Sequence, residues 1–241
     1  MSLFSAPSRD FKPELLDLDE ASFEEVRDSL GDVRRVNRNL SGYRVLLFHA
    51  ECFMRDHKER RPFSVVDLAT GSCDQPVELV ILARRLGIPI RVVAIDINRK
   101  MLSYAREEIR EFPEIELVQC DILSLPFRDK SFDLAVNNLS LHHFSWEGAV
   151  GIIRTLNRLG RKGFIINDLR RSRVAYVSIL FLTRLLTRNR LTRYDAPVSV
   201  MNAFVPDELH SLAIEAEIEV FEIFRHFPYR LALVGYKGRL T

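Results

Sequence analysis

The segment Val65–Asp74, reading VVDLATGSCD, places an acid near the end of an apolar run, turns through small residues at Gly71 and leads into a helical pattern. Two further apolar runs, Ile90–Ile95 and Ile115–Cys120, close on Asp96 and Asp121. In open α/β sheets ligands bind beyond the carboxyl ends of the strands, so these carboxylates should converge on one crevice. The chemistry they suit is nucleoside recognition. Asp96 can accept both ribose hydroxyls, and Asp121 can accept an exocyclic amine while the adjacent Ile122 offers an apolar contact to a purine face. The loop holds a single glycine, Gly71, where a dinucleotide fingerprint needs three, so a ligand without phosphates fits it better.

His142 and His143 follow the fourth strand-like run, where an imidazole can take a proton from a phenol or hydroxyl. In the competing reading one ring packs against the helix around Trp146 and the other bonds backbone. Val36-Asn37-Arg38 with Arg44, and Asp168-Leu169-Arg170-Arg171 with Tyr176, can present polar groups to an acidic or phenolic compound in an apolar pocket, although each arginine alone also reads as a surface residue. The spacing of histidines and cysteines suggests no ligand cluster, and no metal is expected.

These side chains need elements to position them. Residues 14–60 carry apolar positions at helical spacing and read as two or three helices forming an N-terminal cap, with the main domain over 61–241. From Phe63 strands alternate with helices: strand 63–68, helix 76–86, strand 90–95, helix 99–111, strand 115–120, strand 132–137, helix 146–159, strand 163–167. That rhythm predicts a doubly wound, mostly parallel sheet of α/β class. Pro76 suits a first helical turn and Asn98 an N-cap. Residues 169–205 read as a helical substrate-cap insertion ending in a polar loop, TRYDAPVSVMN, before a helix at Pro206. Ile218–Phe224 and Arg230–Gly235 are too close in sequence for a helical crossover and should pair antiparallel.

Across 241 residues, 47% hydrophobic content suffices for a sizeable core, and 35 basic against 33 acidic residues leave a net charge of +2. That balance gives no bulk attraction for nucleic acid, and none is expected as a partner. Cys52, Cys73 and Cys120 have no paired spacing, which points to a reducing, cytoplasmic setting. No secretory signal is evident, and the greasy stretch Ala175–Leu182 is too short to span a membrane. It could lie amphipathically against one through Arg184, Arg188, Arg190 and Arg193, though a buried cap helix is the simpler reading. The apolar cap could face a substrate or a second copy, as in a homodimer.

DLATGSCD, VVAIDINRKMLSYARE and VQCDILSLPFRDKSFDLAVNNLSLHHF together resemble the class I S-adenosylmethionine-dependent methyltransferases in order and spacing of motifs, closest to their small-molecule, quinone-methylating branch. The resemblance covers residues 63–167 and implies a seven-stranded Rossmann-like fold whose last strand is antiparallel. It places Asp67, Ala69, Thr70, Gly71 and Ser72 at the amino-acid end of the cofactor, Asp96 at the ribose, Asp121 and Ile122 at the adenine, and Asn137, Asn138 and Leu139 beneath the sulfonium, with Ile97, Met101 and Cys120 also on the cofactor. Ala69 and Cys73 stand where the family commonly has glycine. The implied reaction is methyl transfer to a small, largely apolar acceptor at a phenolic or enolic oxygen. Carbon methylation of a quinone precursor, an RNA or protein methyltransferase, and a non-catalytic cofactor-binding subunit are the alternatives. NNLS after the fourth strand, in place of an NPPY-like element, disfavours the RNA or protein class.

Overall fold

A computed structural model describes residues 6–18 and 21–238; the remainder of the expected cap and domain, 1–5, 19–20 and 239–241, lies outside the described residues. Helices α1 (Phe23–Asn39) and α2 (Gly42–Arg55) precede β1 (Phe63–Leu68), α3 (Asp74–Leu86), β2 (Ile90–Asp96), α4 (Arg99–Glu108), β3 (Ile115–Gln119) and β4 (Phe132–Asn138). Then come α5 (Trp146–Leu159), β5 (Gly160–Leu169), α6 (Arg173–Leu186), α7 (Arg190–Asn202), α8 (Pro206–Glu215), β6 (Phe221–His226) and β7 (Arg230–Tyr236).

The strands form one seven-stranded sheet in the order β3-β2-β1-β4-β5-β7-β6. The first five named pair in parallel, while β7 runs antiparallel to both β5 and β6. The order reverses between β1 and β4, which opens a crevice above their carboxyl ends. β1 reads FSVVDL and β4 FDLAVNN, nearly all buried, as befits central strands covered on both faces. One face packs on α5 and α8 through Ile152, Ile153, Leu156 and Leu212; the other packs on α2 and α3 through Leu46, Met54, Leu79 and Val80. The second helix of the N-terminal segment is thus part of the sheet's own covering layer.

Helix ends follow local chemistry. Ser22 and Glu25 form a reciprocal capping box on α1, and the Asn98 side chain accepts from the amides of Lys100 and Met101 at the start of α4. Gly87 ends α3 in the left-handed conformation (φ 68°).

One expectation is corrected: TRYDAPVSVMN is a helix, α7, rather than a polar loop. Asn189 caps it by accepting from Leu191 and Thr192. Its buried face is largely polar, with Thr192, Asp195 and Asn202 alongside Leu191 and Val200, so no apolar period marks it in the sequence. The polar face finds partners: Thr192 Oγ1 donates to Asp32 Oδ2 at 3.1 Å, and Asp195 and Asn202 bond the N-terminal segment.

Candidate active site

The β1–α3 loop turns within Ala69–Cys73, and three of its residues take positive φ: Ala69 at 59°, Gly71 at 57° and Cys73 at 65°. For Ala69 and Cys73 this is strained backbone of the kind that gathers at functional sites. The strain is held in place from β2, since Thr70 N–H donates to Ile95 O at 2.9 Å and Gly71 N–H donates to Asp96 Oδ2 at 2.8 Å. Asp96 Oδ1 accepts from Asn98 N–H at 2.8 Å, which fixes both carboxylate oxygens at the strand end. Their remaining lone pairs face the crevice chemistry expected of a ribose acceptor.

Three acids crowd this loop. Burial pushes Asp67 up to about 7 despite a hydrogen bond from Thr70, and the charges of Asp74 and Asp96 add to the rise. Burial also raises Asp74 and Asp96 above the ordinary carboxylate range. Asp67 Oδ1 has no hydrogen-bond partner among the described residues. A ligand bringing positive charge and N–H donors would relieve both conditions, as the ammonium end of S-adenosylmethionine does. At Gly71 a Cβ would meet nothing within 4 Å, so the loop leaves free space there for a ligand. The residues present therefore fit that cofactor. Of the other expected cofactor residues, Ile122 and Met101 are buried, Cys120 is half-buried, and Ile97 and Asp121 are exposed, with Asp121 Oδ1 accepting from Leu123 N–H at 2.9 Å.

β4 delivers the next residues. Asn137 Nδ2 donates to Leu68 O at 2.8 Å, tying β4 to β1, while its Oδ1 has no partner among the described residues. Leu139 leaves the strand at φ 54° with its N–H on Asn167 O at 2.8 Å, a second strained position at this edge. The chain then enters a short 3₁₀ turn, Leu141–His143, that carries both histidines.

His142 is buried, and its Nδ1 lies 2.6 Å from Asp168 Oδ1 at the end of β5. Asp168 Oδ2 accepts the His142 backbone N–H at 2.9 Å, so ring and backbone are clamped together. His142 Nε2 faces Glu14 Oε1 at 3.5 Å. Burial alone would lower His142, yet the carboxylates of Asp168 and Glu14 outweigh it and hold the imidazole up at about 10. Both carboxyls fall below their usual range because the imidazolium overcomes their own desolvation. His143 is half-buried, with Nδ1 2.9 Å from Asp17 Oδ2 and its ring 4.4 Å from that of His142. Glu14, His142 and His143 each bring a ligand-capable atom to within 4.8 Å of one another, a donor set that could hold a metal. Glu14 is too remote in sequence for ligand spacing to reveal that set.

Glu14 belongs to an N-terminal strap laid over the turn. Arg9 donates to Asn202 O, His142 O and Phe144 O at 2.6, 3.1 and 2.7 Å, and its guanidinium lies 4.1 Å over the Phe204 ring. Asp195 accepts from Leu15 N–H at 2.7 Å and Leu16 N–H at 3.2 Å, and Ser199 Oγ donates to Glu14 Oε1 at 2.5 Å. Sequence reading missed Glu14, Asp195 and Ser199, and no local signal marks them. Asp168 was visible as another strand-end acid.

The proposed acceptor residues separate. Asn37 is buried and accepts from Arg230 at 3.0 Å; Arg38 and Arg44 are exposed. Arg170 is half-buried with its guanidinium 5.2 Å over the Tyr229 ring, and Tyr176 is half-buried on α6. A cavity of about 300 Å³ lies where α1 meets α6 and α7, lined in part by Val36, Leu40, Leu182 and Leu186. Among the described residues no helix is long and apolar enough to cross a membrane.

Comparison with known proteins agrees with this geometry. A family described as a methyltransferase domain matches residues 65–163. This match, the relatives named as methyltransferases and the sheet order support a class I S-adenosylmethionine-dependent methyltransferase. It is 37% identical over 82 residues to the ubiquinone/menaquinone biosynthesis C-methyltransferase UbiE of Xylella fastidiosa (strain M12), a match covering 33% of this chain and 31% of that protein. The chain thus spans about a third of the length of such curated relatives. The plantazolicin methyltransferase BpumL, solved with a triazolic desmethylPZN analog and SAH, shares the fold at TM-score 0.66 and 14% identity over 92% of this chain and 93% of that one. A SAM-dependent methyltransferase from Aquifex aeolicus superposes at TM-score 0.53 with 17% identity, covering 83% and 96%.

Proposed function

We propose that this methyltransferase transfers the methyl group of S-adenosylmethionine to a small, largely apolar acceptor at a phenolic or enolic oxygen. The observation that carries the reading is the buried relay Glu14–His142–Asp168, set one turn beyond the Asn137–Leu139 edge. In this reading Asp67 and Ala69–Ser72 hold the amino-acid end of the cofactor, Asp96, Ile97 and Met101 its ribose, Cys120, Asp121 and Ile122 its adenine, and Asn137–Leu139 the sulfonium end. The bound cofactor supplies an activated methyl group, and the barrier to its in-line displacement falls mainly by positioning.

The chain's own part is to bind the acceptor, exclude water and move a proton. A hydroxyl placed beside the Glu14 Oε1–His142 Nε2 pair, whose atoms lie 3.5 Å apart, can give its proton to the carboxylate while the imidazolium stabilises the oxygen left behind. Asp168 keeps that ring oriented and charged, and His143, held by Asp17, packs beside it. The strap, α1, and the 169–205 insertion cap the site and supply specificity, with Asn37, Arg170 and Tyr176 within it and Arg38 and Arg44 at its exposed margin.

Carbon methylation of a quinone precursor is the second reading, favoured by the C-methyltransferase names of the curated relatives. The same relay would then take the ring hydroxyl proton to raise electron density at carbon. Incubating the protein with S-adenosylmethionine and a panel of phenols, enols and demethylated quinols, followed by mass spectrometry and NMR assignment of the atom that carries the new methyl group, tests both. Methyl ethers support the first reading, methylated ring carbons the second, and no product with any acceptor rejects the assignment.

A further inference from the structure

Arg230 opens β7 and is only 2% exposed. Antiparallel pairing sets it opposite Leu169, at the carboxyl end of β5 and so over the same sheet edge as Asn137, Asn138 and Asn167. A guanidinium taken from water is costly unless a carboxylate or a full set of acceptors replaces the solvent. Here Nη2 donates to Asn37 Oδ1 at 3.0 Å, and Nη1 has no partner among the described residues. The charge of Asp168 acts on it, but the oxygens of that carboxylate are taken by His142 and by the Leu169 amide. Arginine keeps its charge throughout the neutral range.

A second orphan adjoins it through a short chain of contacts. Asn138 Oδ1 accepts from Asn167 Nδ2 at 2.6 Å, while Asn138 Nδ2 has no partner among the described residues. Asn167 Nδ2 also donates to Gly42 O at 2.9 Å, and Gly42 sits so close to Asn37 that an added Cβ would be 2.7 Å from Asn37 Oδ1. Arg230, Asn37, Gly42, Asn167 and Asn138 are one buried network. Its spare polar atoms are Arg230 Nη1, Asn138 Nδ2 and Asn167 Oδ1, and the only formal charge among them is positive.

Position along the sheet selects the ligand. Asp67, Asp96 and Asp121, which suit the cofactor's hydroxyl and amine groups, belong to β1, β2 and β3 on one side of the crevice. Arg230 lies across β4 and β5 from them, on the half that the cofactor's nucleoside does not use. We propose that Arg230, with the amide of Asn138, binds a carboxylate of the methyl acceptor, leaving the acceptor's hydroxyl to the relay. The acceptor therefore enters the site as an anion, and the inference rests on the methyl-transfer reading above.

The test loads the full chain with S-adenosylhomocysteine and titrates it with salicylate and dihydroxybenzoate against their uncharged methyl esters. Wild type should bind the acids on the order of tenfold more tightly than the esters, as a charge-assisted contact predicts. Arg230→Gln should abolish that preference and leave the affinity for S-adenosylhomocysteine within a few-fold. Equal binding of acid and ester, binding of neither, or a preference that survives in Arg230→Gln overturns the proposal. If Arg230→Gln instead weakens S-adenosylhomocysteine but not methylthioadenosine, which lacks the carboxylate, the anion is the cofactor's own and the acceptor assignment falls. Should Arg230→Gln fail to fold, Arg230→Lys, which keeps charge without the planar fork, must show a reduced preference. Wild type that binds no S-adenosylhomocysteine at all would defeat the methyltransferase reading rather than this one.

Discussion

Asp96 joins the loop to the expected ribose site, because its two oxygens hold the amides of Gly71 and Asn98. Asp96→Ala should weaken S-adenosylhomocysteine by about 1.5–3 kcal/mol in titration calorimetry, the worth of hydrogen bonds to a charged group. An unchanged affinity would displace the ribose from β2. Gly71→Val tests the neighbouring position differently. No protein atom lies within 4 Å of its Cβ site, so the cost comes from φ 57° and from the ligand itself. Stability should fall by about 1–2 kcal/mol for the left-handed backbone, and cofactor binding should fall further still. His142 carries the pH prediction. Its folded-state proton affinity is raised, to about 10, so the stability it lends is full below the ordinary histidine value near 6.5 and is lost as pH rises toward 10. Melting temperatures of wild type should decline across that window more steeply than those of His142→Gln, and parallel curves would remove the imidazolium from the relay.

At the scale of elements, the strap and α7 act together. Asp195 on α7 holds the amides of Leu15 and Leu16, and Asn202 holds Lys12 in both directions. Asp195→Ala should cost about 1–3 kcal/mol by leaving those donors unpaired, and limited proteolysis should then cut the strap ahead of the sheet. Glu14→Gln keeps the shape of the strap but removes its charge from His142. Turnover on an identified acceptor should drop roughly 10²-fold, with cofactor affinity within a few-fold, if the carboxylate takes the acceptor's proton. A loss below about tenfold would leave positioning as the main source of rate.

For the whole molecule the sheet order matters most, since the reversal between β1 and β4 brings the acids of one half and the imidazole, amide and guanidinium groups of the other to one edge. A ligand selective for the native state must stabilise it: at about 100 times its dissociation constant, S-adenosylhomocysteine should add roughly 2.7 kcal/mol, or about 5–10 °C in melting temperature for a chain of this size. No shift at saturating concentration would contradict the cofactor site as a unit.

The parallel core was legible residue by residue. β1 and α5 have the expected bounds, and the ends of β2 and β4 differ by one residue, because central strands are continuous apolar runs and each helix end carries its own cap or glycine. The positions of the strand-end acids and of the loop at Gly71 were legible for the same reason, since short-range pattern sets them. Tertiary structure alone decided the rest. α7 hides because its buried face is polar and satisfied by distant partners, so it has no apolar period. Glu14 meets His142 from a sequence separation of 128 through the strap's bonds to α7, and Arg230 meets Asn37 from one of 193. Such contacts depend on how surfaces pack, which local propensity does not encode. Short-range pattern carried the parallel sheet and its strand-end acids; packing decided which distant charges meet at their edge.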